Sequence, residues 1–270
     1  MRSFRAGLLT TATWIIALLF FFPIAWMVFT SFKTESDAAS IPPTLFTNLS
    51  LDSYAAVLER GGSAYLINSF TSSISSTLIV LLLAIPCAYG LSIRPIKKVK
   101  DVLFFFISTR FLPVAASIIP VYFILLWLGL LDNISALSWL YVAINLPIAI
   151  WMMRSFFNEV PLEIIEAAQI DGANLRTELV RVVLPIVLPG VAAVALICFI
   201  FSWNEYFLAT ILTTDTARTV PPFLASFVDG RGQFLAVLSA AATLAVLPVV
   251  AAGWLAQKQL VRGLAMGAVK

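Results

Sequence analysis

The stretch YLINSFTSSISSTLIVLLLAIPCAYGL, residues 65–91, decides the fold. A helix needs about 20 predominantly apolar residues to cross the hydrocarbon core of a bilayer. Tyr65–Leu91 has that length, and five more stretches share it: Leu8–Phe29, Val102–Leu128, Ile134–Phe157, Val187–Leu212 and Phe234–Leu255. The pattern predicts an all-α integral membrane protein, six transmembrane helices in one domain over residues 1–270. Composition points the same way. Of 270 residues, 61% are hydrophobic and 11% charged, with a mean hydropathy of +0.99. A soluble domain carries roughly 25% charged residues, so so few charges cannot build a water-facing surface. The first stretch follows Arg2 and Arg5 but is too long for the apolar region of a signal peptide, and no small-residue cleavage site follows it. It reads as a retained span.

Six spans place both termini on one side. If that side is the cytoplasm, the inside carries Arg2, Arg5, Arg94, Lys97, Lys98, Lys100, Arg154, Arg176, Arg181, Lys258, Arg262 and Lys270. The outside then carries Lys33, Arg60, Arg218 and Arg231. Twelve cations against four is a positive-inside bias, expected of a cytoplasmic membrane protein with both ends inside. The net charge of +3 is therefore a topology signal. It is no nucleic-acid footprint, because the basic residues form no stripe with interleaved aromatics. Cys87 and Cys198 lie within apolar runs and read as small buried residues. With no histidine in the chain, histidine-dependent catalysis and His–zinc sites are excluded. Pro23, Pro86, Pro113, Pro120, Pro147, Pro189 and Pro248 fall in or near the spans, where each would bend its helix. An outer loop at about 33–62 is polar, turn-rich and too short for a folded domain; it suits a cap or a contact with an outside partner.

Between the fourth and fifth spans, at about 158–186, lies a long polar loop. Pro161 suits the first turn of a helix, and Glu159 and Glu163 suit its positive N-terminal end. Leu162, Ile165 and Ala168 give a short apolar stripe, with Glu163, Glu166 and Asp171 on the other sides. Gly172 can end the helix in the left-handed conformation. A second amphipathic segment, Asn174 to Val183, leads to Pro185 and Pro189. A helix, a glycine elbow and a second helix make either a docking knob or a connector on the lipid headgroups.

This loop resembles a known one. Glu166-Ala167-Ala168, Gly172 six residues after Glu166, and Leu184-Pro185 match the EAA loop of ABC importer permeases, with Val182 where that family usually has isoleucine. Ala167-Ala-Gln-Ile-Asp171-Gly-Ala, Trp203-Asn204-Glu205, Asn68-Ser69 and the tail Gly263–Lys270 resemble the maltose-type carbohydrate branch over most of the chain. The resemblance implies the permease fold of a type I importer and a role as one permease subunit for a sugar, polyol or sugar derivative. It implies a second homologous permease, an ATPase dimer and an extracellular or periplasmic solute-binding protein as partners, in a bacterial inner membrane. Glu166, Ala167, Ala168, Asp171, Gly172, Leu184 and Pro185 would couple to an ATPase. Asn68, Arg110, Trp203, Asn204 and Glu205 would line the translocation path. The chain itself would hold no cofactor, since ATP and Mg would be bound by the ATPase subunits.

The sequence also says what the chain is not. It has no Gly-x-x-x-x-Gly-Lys-Ser/Thr loop to cradle ATP, and no Gly-x-Ser-x-Gly, Cys-x-x-Cys or His-Glu-x-x-His motif. An enzyme is not expected. The alternative is a self-powered secondary transporter or channel using Arg110 and Glu205 as intramembrane sites. At 1.5 Å rise per residue, Arg110 would lie about 12 Å from the inner boundary and Glu205 roughly 22–27 Å, too far apart to pair.

Overall fold

The serines that punctuate residues 65–91 sit where helices meet. The computed structural model describes residues 2–45, 47–94, 97–111, 114–228 and 234–268, with side chains from 7 to 259. Pro113, Arg231 and Lys270 lie outside the described residues, as do the side chains of Arg2, Arg5 and Arg262. In chain order the helices are α1 (Arg2–Thr30), α2 (Glu35–Ala38), α3 (Asp52–Glu59), α4 (Gly62–Ser92), α5 (Val99–Thr109), α6 (Val114–Trp127) and α7 (Ile134–Phe157). Next come α8 (Leu162–Ile170), α9 (Leu175–Thr177), a π-helical turn (Glu178–Val183), α10 (Leu184–Trp203), α11 (Phe207–Leu212), α12 (Val220–Ala225) and α13 (Leu235–Ala268).

Five helical segments among the described residues are long and apolar enough to cross a membrane: Gly7–Thr30, Gly62–Ser92, Ile134–Phe157, Leu175–Trp203 and Leu235–Gln259. The third predicted span, Val102–Leu128, is not one helix. It is α5 and α6, bent by 82° at their break, and makes a sixth span only as a pair. A proline at 113 has no N–H to give a helix and disfavours helical backbone before it. The fifth predicted span is corrected too. Its helix, α10, stops at Trp203, and Phe207–Leu212 forms the separate α11.

The chain divides into two compact units, Met1–Ala64 with Phe223–Pro248, and Tyr65–Pro222 with Val249–Lys270. In the first, α1 exposes Leu9, Leu19 and Phe20 along its length, as a lipid-solvated helix does. The loop at 33–62 contains α2 and α3, and its Lys33 is 2% exposed. A buried ammonium needs compensation. Lys33 Nζ donates to the Thr44 carbonyl at 2.6 Å and lies 4.7 Å from the ring centres of both Trp26 and Phe29. Glu35 accepts from the Ala236 and Val237 amides at 3.0 and 2.9 Å, capping the start of α13.

In the second unit α7 is central. Its buried residues Leu137, Tyr141, Val142, Asn145, Ala149, Ile150, Met153 and Phe157 recur at helical spacing. One apolar cluster joins α4, α7, α8 and α10 through Val80, Ala84, Ile150, Met153, Ile165 and Val194. A second, around Ile118, Tyr141 and Leu208, joins α6, α7 and α11. Polar contacts pin the register. The Ser76 and Ser202 hydroxyls share a hydrogen bond at 3.0 Å, Asn145 Nδ2 donates to Ser202 Oγ at 3.0 Å, and Ser75 donates to Ser138 at 3.0 Å. Small hydroxyl-bearing residues allow close approach and supply interhelical hydrogen bonds where no water competes.

Helix α10 packs closely on α7. A Cβ at Gly190 would stand 2.3 Å from the Phe156 ring. Gly190→Ala should therefore cost about 1–3 kcal/mol by overpacking. The check is the thermal midpoint of the detergent-purified protein, which should fall in Gly190→Ala and recover in Gly190→Ala/Phe156→Ala. An unchanged midpoint in the single variant would mean that the helices part freely.

Candidate functional site

The polar loop folds into a helix with two distinct sides. Pro161, extended at φ −59° and ψ 133°, stands at the N-cap of α8, and Glu163 lies in the first turn. Gly172 has φ +79°, the left-handed region where a glycine costs least. Its N–H reaches the Gln169 carbonyl at 3.0 Å and the Ala173 N–H reaches Ala168 at 2.9 Å, closing the helix end. Asn174 then caps α9, its side chain accepting from the Thr177 amide at 2.9 Å. The elbow read from the sequence is thus observed. The apolar stripe needs correction, because Ile165 is buried at 2% exposure while Leu162 is 59% exposed. Ile165 faces inward with the half-buried Ala168 beside it, and the exposed Gln169, one turn on, reaches back with its side-chain amide to Glu178. Glu163, Glu166, Ala167 and Ile170 share the opposite, exposed face, and Ile170 is 87% exposed.

The connector into α10 is a π-helix, a rare and wider turn. Pro185, at the start of α10, has no N–H for the Arg181 carbonyl, which favours loosened winding there. Within this turn Glu178 is fully buried. Its Oε1 accepts from the Tyr89 hydroxyl on α4. Its Oε2 accepts from Arg94 Nη2 at 3.0 Å and Gln169 Nε2 at 3.1 Å. Sequence reasoning missed this residue for a definable reason. Counting back three or four residues from the buried Val183 lands on Val180 or Leu179, whereas the π turn adds one and brings Glu178 inward. A lone acid beside Leu179–Val183 was the only signal.

The remaining predicted site residues are spread over the second unit. Asn68 Nδ2, near the start of α4, donates to the Thr216 and Arg218 carbonyls at 2.8 and 3.0 Å. Ser69 accepts from the Val220 amide at 2.8 Å. Arg110 follows α5 and donates to the Ile144 carbonyl at 2.6 Å, with the Phe201 ring centre 6.0 Å away. It opens onto a cavity of about 220 Å³ with Thr109, Ser117, Ile118, Leu140 and Pro147 in its wall. Glu205 has other partners: its oxygens accept from the Leu208 and Ala209 amides at 2.9 and 3.1 Å, capping α11. Trp203 is 4% exposed and stacked on Phe199 at 5.6 Å, and Asn204 donates to the Ile200 carbonyl at 2.8 Å.

Asp132, which the sequence did not single out, ties the turn before α7 to residues 214–217. It has φ +53°. Its carboxylate accepts from the Thr214, Asp215, Thr216 and Ala217 amides and from the Thr214 hydroxyl, all between 2.9 and 3.2 Å. Burial alone would raise its pKa. The four backbone N–H groups outweigh it and hold the carboxyl well below the usual range.

A family model described as "Binding-protein-dependent transport system inner membrane component" matches residues 60–265. A probable ABC transporter permease of Sinorhizobium fredii is 37% identical, over 97% of this chain and 95% of that protein. The sulfoquinovosyl glycerol transport system permease of Agrobacterium fabrum is 31% identical, over 92% of this chain and 88% of its own length. The crystal structure of a bacterial ABC transporter involved in import of the acidic polysaccharide alginate holds a chain with the same fold. It superposes with a TM-score of 0.76 at 24% identity, covering 96% of this chain and 98% of the other.

The Asp132 knot has a testable signature. A carboxyl with depressed folded pKa stabilises above its unfolded pKa of about 3.9, and that contribution is lost only as pH falls towards the folded value. The wild-type 214–217 amides should stay protected from hydrogen exchange at pH 5 as at pH 7. Asp132→Asn, with one acceptor oxygen in place of two, should speed their exchange by roughly tenfold at either pH. Equal protection in the variant would show that the turn holds itself.

Proposed function

The chain belongs to the family of binding-protein-dependent transport system inner membrane components and is the multi-pass permease subunit of an ABC importer; from that premise we propose how it is powered and what it carries. Helix α8 is the coupling helix, docked on a separate ATPase subunit. One observation carries this reading: Ile165 anchors one side of α8, leaving Glu163, Glu166, Ala167 and Ile170 free for an outside groove. Glu166 and Asp171 present charge to that groove, and the small Ala167 allows close approach. Ala168 packs inward, Gly172 sets the elbow, and Leu184 and Pro185 start α10. The positive-inside bias puts this loop and both termini in the cytoplasm.

A second homologous permease completes the membrane core, two ATPase subunits bind ATP and Mg, and an extracellular or periplasmic binding protein delivers the solute. The chain needs no cofactor of its own. The setting is a bacterial cytoplasmic membrane. The solute is a sugar, polyol or sugar derivative, a reading supported by the carbohydrate-branch motifs and by the Agrobacterium relative's sugar derivative. Arg110 faces the solute from its cavity, where a lone guanidinium suits an anionic group. Asn68 and Asn204 line the same path, and Trp203 and Glu205 hold its wall.

Two experiments test the reading. A Cβ at Gly172 would meet open space but a left-handed φ of +79°, so Gly172→Asp should strain the elbow locally while leaving the protein inserted in the membrane. It should abolish uptake and separate ATP hydrolysis from binding-protein stimulation; normal uptake would sink the coupling assignment. Arg110→Ala should lower uptake of a sulfonated sugar by at least roughly tenfold, the weight of one charged hydrogen bond, while sparing a neutral disaccharide. If uptake of both is unchanged, Arg110 does not line the path.

A further inference from the structure

A buried carboxylate is costly unless charge and hydrogen bonds surround it, and removing one partner leaves the rest uncompensated. Glu178 is such a group, and its partners come from three other places in the chain. Tyr89 belongs to α4, Arg94 follows α4, and Gln169 belongs to the last turn of α8. One oxygen is held by Tyr89 alone. The other is shared by Arg94 and Gln169. Arg94 is half-exposed, so the charge is balanced from the loop edge while the carboxylate itself stays dry.

Helix α8 therefore has two attachments, one turn apart. Ile165 packs into the apolar cluster, a contact that is non-directional and permits sliding. Gln169 is held by a directional hydrogen bond to Glu178, which forbids it. The far end of α4 is fixed separately, by Asn68 and Ser69 on residues 216–220. The helix between these two points, from Ser69 to Tyr89, spans about 30 Å.

From this geometry we infer that Glu178 is a positioning residue, a latch that makes α8 and α4 move as one body. The inference rests on the reading that α8 docks on an ATPase. A displacement of α8 by that ATPase then reaches the 216–220 segment along α4. Without the latch α8 stays docked and slips on Ile165.

The test uses the complete transporter, purified with its second permease and ATPase subunits. Cys87 and Cys198 are replaced by alanine, and nitroxides are placed at the exposed Ile164 of α8, outside the docking face, and Leu82 of α4. Distances are measured nucleotide-free and after trapping with ADP and vanadate. With Glu178 present, the distribution should be narrow and equal in the two states. Glu178→Ala should broaden it and shift its mean between them. Glu178→Gln, which keeps acceptor oxygen, should restore part of the narrowing, and Tyr89→Phe should add nothing to Glu178→Ala. An unchanged distribution in Glu178→Ala, with ATPase subunits still copurifying, overturns the latch and leaves the docking reading standing. Should that variant fail to accumulate, Tyr89→Phe and Gln169→Ala should each broaden the distribution less, and no change in either overturns the latch. If ATPase subunits do not copurify with the unsubstituted chain, the docking reading fails and the latch with it.

Discussion

In a hydrocarbon solvent, every polar group must find its partner within the protein. That constraint orders this structure more than apolar contact does, because lipid tails are as apolar as leucine and give no net reward for burying it. The helices are held in register by serine and asparagine contacts such as Ser76–Ser202 and Asn145–Ser202. Charges follow the same rule. Lys33 takes a carbonyl and two aromatic faces, Arg110 takes the Ile144 carbonyl, and Glu205 takes the amides of α11.

The same rule explains where helices stop. Glu205 sits at an interruption, and its carboxylate supplies the acceptor that the newly started α11 lacks. Asp132 does this for an irregular segment, gathering four consecutive amides that no helix satisfies. A charged residue in an apolar sequence is open to two readings, a site for a solute or a partner for backbone. Arg110 gives one N–H to the Ile144 carbonyl and also opens onto a cavity, whereas Glu205 and Asp132 are engaged by backbone amides.

At the 158–186 loop the constraint produces a helix with an anchored side and a free one. The free side carries Glu163, Glu166, Ala167 and Ile170, the surface expected of a helix awaiting a partner. The anchored side depends on Glu178, whose burial requires donors from α4, from the loop after it and from α8 together. One buried acid thus joins α4, the loop after it and α8.

The sequence by itself determined the class, the location of four of the six spans and the glycine elbow. Length and apolarity are local properties, and Gly172 closing an amphipathic run is a local signal for a helix C-terminus. It also determined the loop's kinship, since the residues at Glu166, Gly172 and Pro185 are adjacent enough to be read as a pattern. Only the tertiary structure decided that α5 and α6 are bent by 82°, that α10 ends at Trp203, and that Leu162 faces outward. Glu178 and Asp132 became visible only there. Two of the three donors to Glu178 lie 84 and 89 residues away in sequence and those to Asp132 lie 82–85 away, and a π turn shifts the helical count at Glu178 by one.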